Sequence, residues 1–334
     1  MYQYCLVLND WIHLYSFQFY PFYMQKLYIA FIATAVLCQF STIPCFISSS
    51  FKSSFHTYQT SPDIVSPDVK PELISDQFIF TEGPAVSKDG SVYFTDQPNN
   101  KIWKYDAENK LTLFLDNAGR SNGLYFDKKD NLLACADEKN EIWCISKKGK
   151  IEVLLSEFGG KKLNGPNDLW VSPKGGIYLT DPYYQRPYWA RKKSELDGQK
   201  VYYLGKNKKL IIADDKLVQP NGIIGTPDGK HLFVADIGAS KTYKYDINAD
   251  GKLSNRQLFV EQGSDGMTMD RAGNVYLTGK GVTVYNSKGV KIKQIDIPRN
   301  WTANVCFGGK NRDYLFITAS QGFYKLKMNV KGAF

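Results

Sequence analysis

Six polar residues recur along the chain at intervals of 39 to 54 residues, each beside a glycine, a proline or another small residue. Two are carboxylates and four are carboxamides, so together they offer oxygen ligands without His or Cys. Hard cations such as Ca²⁺ take about six to eight oxygens, whereas sites for Zn²⁺ and Cu²⁺ favour His and Cys. The set predicts a divalent-metal site, with Ca²⁺ first and Mg²⁺, Mn²⁺ or Zn²⁺ as alternatives. Its members are Glu82, Asn122, Asn167, Asn221, Asp265 and Asn304.

An alternative reading is that each of these residues only caps a turn at the start of a strand, as Asn and Asp often do. Two features argue against it. All six occupy the same place in a repeat, and Glu82 stands where no turn favours Glu. A shared phase indicates a shared site if the fold brings the repeats together.

Each polar residue opens a unit of short strands rich in Val, Ile, Tyr and Phe, separated by Gly-, Asn- and Asp-containing turns. Six units of about 40–50 residues, each holding several strands, predict an all-β fold, a six-bladed β-propeller with four-stranded blades. The innermost strand of each propeller blade lines a central channel. Residues that begin these strands would therefore meet near the axis and form a central metal site.

Several motifs, spread over about residues 76–328, resemble the senescence-marker-protein/gluconolactonase family of six-bladed propellers. That family includes regucalcin, sugar lactonases and the related diisopropylfluorophosphatase. The resemblance implies that four residues bind the metal, and that Asn122 faces the same cavity and contacts substrate or a metal-bound water. Asn304 has no motif around it and is left out of the ligand set. The implied ligands are Glu82, Asn167, Asn221 and Asp265. The motifs are Glu82-Gly83-Pro84, Gly165-Pro166-Asn167-Asp168, Tyr178-Leu179-Thr180-Asp181-Pro182, Pro220-Asn221-Gly222 and Ser264-Asp265-Gly266-Met267.

The resemblance implies a hydrolase that opens a sugar lactone such as gluconolactone by metal-assisted attack of water. Asp265 is the predicted catalytic residue, as ligand and general base, with a nucleophilic role left open. Arg186 lies in an insertion in the third unit (residues 185–198), and Tyr183 lies just before it. Both are predicted to contact substrate; the alternative is that they only pack within the loop. Two alternatives remain: a related ester or organophosphate hydrolase, and a non-catalytic propeller that binds a ligand or partner.

Four aspartates recur at the ends of second strands, in Thr-Asp or Ala-Asp pairs, and predict a structural device that accepts backbone N–H groups. They are Asp96, Asp137, Asp181 and Asp236. The three histidines are isolated from one another, so a Ser-His-Asp triad is not supported.

The N-terminal segment, residues 1–50, is predicted to be a signal peptide or an uncleaved anchor. Lys26 precedes an apolar run from Leu27 to Leu37, and Met24 is an alternative start that would make residues 1–23 a mis-called extension. Residues 51–75 are predicted as a linker and 76–330 as the propeller. The protein is therefore expected to be exported, periplasmic or extracellular, with contact to membrane only through that segment.

A net charge of +9 raises the question of nucleic-acid binding, but the lysines fall in short turn clusters without a known motif. Nucleic acid is therefore not an expected partner. The expected partner is a small-molecule lactone substrate, and the protein is expected to be a monomer. Cys135 and Cys144 flank a predicted turn, which leaves open either a disulfide or two free thiols.

Overall fold

The computed structural model describes residues 63–334 as six four-stranded antiparallel sheets arranged as the blades of a propeller, with one small extra hairpin. Both the all-β class and the six blades are as predicted. The strands in chain order are β1 (Glu72–Ser75), β2 (Thr81–Val86), β3 (Val92–Asp96), β4 (Lys101–Tyr105), β5 (Leu111–Asp116), β6 (Ser121–Phe126), β7 (Leu132–Ala136), β8 (Glu141–Ile145), β9 (Ile151–Leu155), β10 (Glu157–Phe158), β11 (Lys161–Lys162), β12 (Leu169–Val171), β13 (Ile177–Asp181), β14 (Lys200–Leu204), β15 (Leu210–Asp214), β16 (Pro220–Gly225), β17 (His231–Asp236), β18 (Lys241–Ile247), β19 (Leu253–Val260), β20 (Met267–Met269), β21 (Val275–Gly279), β22 (Gly281–Tyr285), β23 (Lys291–Ile295), β24 (Asn304–Gly308), β25 (Tyr314–Ala319) and β26 (Gly322–Lys327).

Blades one to five each use four consecutive strands, beginning at β2, β6, β12, β16 and β20. Their first two strands are almost wholly buried and their fourth strands are largely exposed, so the first strand is the innermost. The core lies between neighbouring blades, where large apolar side chains such as Trp170, Tyr276 and Phe323 are buried. Because successive strands are antiparallel, every first strand starts at one end of the channel and turns back at the other.

The sixth blade joins the two ends of the described chain. Strand β1 pairs with β26, placing Glu72 opposite Lys325 and Leu73 opposite Tyr324, outside β25 and β24. Residues 72–75 fell within the predicted linker, and Ile64 and Val65 are also buried in the core cluster of blades five and six. The packed part of the chain therefore starts before residue 76, because β1 supplies the hydrogen bonds that close the ring of blades.

The predicted signal peptide or anchor, and the alternative start at Met24, lie outside the described residues. Within residues 63–334 no helix has the length and apolar character needed to cross a membrane.

Glycines allow the inner strands of neighbouring blades to approach each other closely at the axis. Gly83 has a φ of 45°, and a Cβ there would lie 2.2 Å from the carbonyl oxygen of Asn122 in the next blade. A Cβ on Gly266 would lie 2.0 Å from the carboxamide of Asn304. Only a residue without a side chain fits at such a distance. This is the physical reason for the glycine that follows several of the recurring polar residues.

Three of the four recurring aspartates act as the sequence predicted. Asp96 accepts the backbone N–H groups of Ile79 and Phe80, Asp181 those of Asn164 and Gly165, and Asp236 those of Val218 and Gln219. Each carboxylate thereby fixes the segment that leads into the inner strand of its blade.

The three cysteines of the described residues are free. Strands β7 and β8 pair Cys135 with Ile142, and Leu133 with Cys144, so the two thiols are offset by two residues across the ladder. This register decides the question that the sequence left open, in favour of free thiols in this structure.

Candidate active site

The six recurring polar residues meet at one end of the channel, because each lies at the start of an inner strand or just before it. Together they are called the ring below. Five of them are buried, with 1–5% of their surface exposed, while Asp265 is half-buried. The ring consists of Glu82, Asn122, Asn167, Asn221, Asp265 and Asn304.

Asn221 presents an unsatisfied oxygen to this buried environment. Its Nδ2 donates to the hydroxyl of Tyr184 at 3.0 Å, whereas its buried Oδ1 has no hydrogen-bond partner in the described part of the chain. Asn304 differs, because its Oδ1 accepts the N–H of Val305 at 2.8 Å. A buried carbonyl oxygen without a donor is costly, and a cation would satisfy it. Asn221 therefore fits the implied ligand set, and Asn304 fits its place outside that set.

The two carboxyl groups of the ring, Glu82 and Asp265, lie close enough to each other for their charges to interact. Burial, and then the charge of Asp265, raise the pKa of Glu82 well above its usual range. Burial also raises the pKa of Asp265 to about 6, against the lowering effect of its bonds with Trp301 and Asn221. A divalent cation between the two would relieve this repulsion and reverse both shifts. Among residues 63–334 no group of three or more Asp, Glu, His and Cys side chains is placed to hold a metal. An ion at the ring would therefore depend on the asparagine oxygens as well as on the two carboxylates.

Trp301 orients Asp265 and was not identified from the sequence. Its indole N–H donates to Asp265 Oδ2 at 2.6 Å. The tryptophan lies in the segment between blades five and six, three residues before Asn304, and no repeat marks its position. Its only sequence signal is a large aromatic residue close to a ring position.

The third-blade insertion brings Arg186 and Tyr184 to the ring. The positive charge of Arg186 lowers the pKa of both Glu82 and Asp265. Its guanidinium lies 5.6 Å from the centre of the aromatic side chain of Tyr184. Tyr184 is itself close to the ring, since burial and then the charge of Asp265 raise its pKa to about 12. The insertion therefore covers the ring on the side of Asn221.

Asp137 fastens the insertion to blade two and departs from the other three recurring aspartates. Its Oδ2 accepts bonds from Arg186 Nε at 2.8 Å and from the hydroxyl of Tyr188 at 2.6 Å. Its backbone carbonyl accepts the indole N–H of Trp189 at 3.1 Å. Burial raises the pKa of Asp137, against the attraction of Arg186. The position that is structural elsewhere thus serves here to hold Arg186 beside the ring.

No hydrogen bond joins Tyr183 to a ring residue in the described part of the chain. The aromatic side chain of Tyr183 packs against Trp189 and beneath Arg191, and its hydroxyl bonds Gln185, so these contacts are with the insertion. The neighbouring Tyr184 is the tyrosine that reaches Asn221. Asn122 is itself a member of the ring, and Arg186 is close enough for its charge to act on Asp265; a contact of either with substrate stays a prediction.

Asp168, next to Asn167, lies deeper in the channel. It accepts the N–H of Leu169 at 2.9 Å and a longer bond from Asn304 at 3.4 Å, and burial raises its pKa to about 7. Together with the ring residue Asn304, Asp168 lines a cavity of about 200 Å³. Most of the remaining lining is apolar, and it also includes charged residues such as Lys88 and Arg312. The apolar part includes Leu124, Ile224, Met267, Met269, Val305 and Phe334.

The fold and the ring define a six-bladed propeller with a polar, acidic site at one mouth of its channel. A family model described as the SMP-30/gluconolactonase/LRE-like region matches residues 80–321, and the chain belongs to this family. It is 26% identical over 297 residues to the gluconolactonase of Zymomonas mobilis, across 78% of this chain and 82% of that protein.

Two solved structures are similar. A gluconolactonase from Xanthomonas campestris superposes with a TM-score of 0.74 and 26% identity, over 81% of this chain and 96% of its own. A calcium-binding regucalcin from Agrobacterium tumefaciens gives a TM-score of 0.67 at 18% identity, over 80% and 96%, and shows the fold alone.

Proposed function

We propose that this protein is a metal-dependent lactone hydrolase of the gluconolactonase type, acting on a sugar lactone at the ring. Membership of the family and likeness to two gluconolactonases support the lactone hydrolase class. The observation that carries metal dependence is the orphaned, buried Oδ1 of Asn221, close to the ionisable pair Glu82 and Asp265.

The proposed ligands of the cation are Glu82, Asn167, Asn221 and Asp265. An all-oxygen set with two carboxylates suits Ca²⁺ first, with Mg²⁺, Mn²⁺ or Zn²⁺ as alternatives. When bound, the ion polarises the lactone carbonyl and stabilises the negative charge that develops on its oxygen.

The side chains of the ring supply the remaining chemistry. Asp265 accepts a proton from the attacking water as general base. Water adds to the carbonyl carbon, the C–O bond of the lactone breaks, and the leaving oxygen takes the proton held by Asp265 and becomes a hydroxyl. Trp301 holds the Asp265 carboxylate in one orientation. Glu82, more deeply buried, serves as ligand.

Substrate contacts come from the mouth of the channel. We assign Asn122 and Arg186 to bind the hydroxyls or the carbonyl of the sugar lactone. Arg186 is held at Nε by Asp137, and no described residue accepts a bond from its two terminal amino groups. A guanidinium fixed at one edge presents its other donors in a defined direction.

The test is acid release from gluconolactone, corrected for spontaneous hydrolysis. The protein is assayed as purified, after exhaustive chelation, and after Ca²⁺, Mg²⁺, Mn²⁺ or Zn²⁺ is restored. Loss on chelation and recovery with one ion is the expected result, whereas full activity after chelation overturns the metal mechanism. Ca²⁺ binding without turnover of lactones, simple esters or phosphotriesters identifies a binding module instead.

We further propose that the protein acts after export and as a monomer. The apolar run after Lys26 is the supporting feature. N-terminal sequencing of the mature protein separates a cleaved signal from a retained anchor, and light scattering measures the oligomeric state.

A further inference from the structure

The face opposite the ring carries the whole excess of positive charge. Eleven hairpin turns lie there, because each joins the far ends of first and second, or third and fourth, strands of a blade. They contain 17 Lys and Arg against 9 Asp and Glu, a net charge of +8. Residues 63–334 as a whole contain 40 Lys and Arg against 32 Asp and Glu, which is also a net charge of +8. The blade strands sum to zero, and so do the loops at the ring end when the small hairpin β10–β11 is counted with them. The sequence showed scattered clusters, and the fold gathers them on one face.

Acidic and basic residues of these turns have different surroundings. Asp106, Asp127 and Asp270 each accept two backbone N–H groups of their own turn. The basic residues of the same turns, Lys110, Lys128, Lys129 and Arg271, are exposed to solvent. The carboxylates therefore shape the turns, while the ammonium groups determine what the face presents to a partner.

Most of this charge is concentrated in blades two and three. Four neighbouring turns there carry nine lysines against two aspartates, a net charge of +7. Contacts join the turns: Lys147 pairs with Asp130 at 2.8 Å, and the stem of Lys206 packs on Gly175. The basic patch consists of Lys128, Lys129, Lys147, Lys148, Lys150, Lys174, Lys206, Lys208 and Lys209.

The chain also enters the propeller at this face. Strand β1 runs from this end towards the ring end, and the segment before it lies on blades five and six. Asp63 pairs there with Lys293 at 3.0 Å, and the N–H of Asn329 bonds the carbonyl of Ile64. The described chain therefore begins on the side of the face across from the basic patch, and the sequence before it includes the apolar run from Leu27 to Leu37.

We propose that this face docks on a membrane surface that carries anionic headgroups, with the ring turned towards the solution. Each Lys or Arg near an anionic bilayer adds to its attraction, and a basic surface complements a single hydrophobic attachment. Attachment on one side of the face and the basic patch on the other hold it flat. A soluble lactone then reaches the ring unobstructed. This inference does not depend on the reaction catalysed.

The experiment is flotation of the full chain with vesicles of phosphatidylcholine alone, or of phosphatidylcholine and phosphatidylglycerol in equal parts. The measured quantity is the ratio of the two binding constants, because the N-terminal segment contributes to both. Lys148, Lys206 and Lys209, all exposed, are changed to Glu. The matched control changes Lys161, Lys162 and Lys192, which are exposed at the ring end, and alters the net charge equally.

The patch variant is expected to lower this ratio by about 100-fold, the control by far less, and high salt should abolish the preference of the wild-type protein. Unchanged lactonase activity and melting temperature of the patch variant show that the fold is intact. Equal losses in both variants, or no preference for the anionic vesicles, overturn the proposal. Lysine-dependent binding to duplex DNA without that preference also overturns it, since the face would then serve a nucleic acid.

Discussion

The side-chain amide of Asn221 donates from Nδ2 to the hydroxyl of Tyr184 at 3.0 Å, and this bond helps to orient the amide at the ring. Oδ1 is buried and unpaired in the described part of the chain. Tyr184→Phe removes this acceptor and leaves the bond with Asp265 as the polar contact that orients the amide. We expect Ca²⁺ affinity, measured by calorimetry, to fall about 10-fold, as for other partners that orient a metal ligand.

Tyr183→Phe is the matched control, because the Tyr183 hydroxyl bonds Gln185 within the insertion. It should leave Ca²⁺ affinity unchanged. If both variants weaken binding equally, the orientation of Asn221 is not the cause.

Asp265→Asn keeps the shape of the side chain and removes its basicity. We expect kcat for gluconolactone to fall by about three orders of magnitude, within the range for a lost general base. The melting temperature of the metal-free protein should not fall, because the indole of Trp301 can still donate to the amide oxygen. Asp215→Asn, at an exposed loop, controls for the loss of charge. An unaltered rate in the Asp265 variant would remove that residue from catalysis.

Trp301→Phe tests how the indole tunes Asp265. The bond from Trp301 lowers the pKa of the Asp265 carboxyl, so its loss raises that pKa. We expect the acid limb of kcat/KM to move to higher pH, with a lower rate at acidic pH. Trp103→Phe, whose buried indole N–H has no partner in the described region and which lies on β4, is the control. A shift towards lower pH would contradict this account of the bond.

The ring could be predicted from the sequence because its members share one phase in a six-fold repeat. Each ring residue lies near the start of the inner strand of its blade. All inner strands start at the same end of the central channel, so these residues lie close together there. Trp301 and the contacts of Asp137 could not be predicted in this way. Both depend on irregular segments between strands, whose course is set by packing across blades.

The choice between Tyr183 and Tyr184 illustrates the same limit. In a strand, alternation would assign adjacent residues to opposite faces. The insertion has no such period, so its sequence does not say which tyrosine faces the ring. The basic face was missed for a different reason. Its successive turns begin 16 to 33 residues apart in sequence, and they meet only because the turns between first and second and between third and fourth strands lie at the same end of every blade.

Asp137 and Asp236 occupy equivalent places in their blades but should respond differently to the same change. Asp137→Asn weakens the hold on Arg186 and Tyr188, so we expect KM for the lactone to rise about 10-fold. Asp236→Asn weakens bonds to the backbone of Val218 and Gln219 and should cost about 1–3 kcal/mol of stability. Steady-state kinetics and thermal melts on both variants check the contrast. A shared loss of stability with unchanged KM would make Asp137 structural like its counterparts.

Removal of metal should make stability depend on pH through Glu82 and Asp265. Both have a raised pKa in the folded protein, well above the usual range for Glu82 and about 6 for Asp265. Between the unfolded values near pH 4 and these raised values, the folded state holds more protons than the unfolded state. Stability of the metal-free protein should therefore fall as pH rises through this window.

The proposed Ca²⁺ ion would bind the ionised pair, so its stabilising effect should grow over the same window. At about 100 times its dissociation constant the ion adds about 2.7 kcal/mol. Melting temperatures at pH values below and above the window, with chelator and with Ca²⁺, measure both effects. Glu82→Gln removes one of the two negative charges, so it should flatten the metal-free pH dependence and reduce the gain from Ca²⁺. A gain that is equal at both pH values, or larger at the lower one, would show that the ion does not bind between these carboxylates.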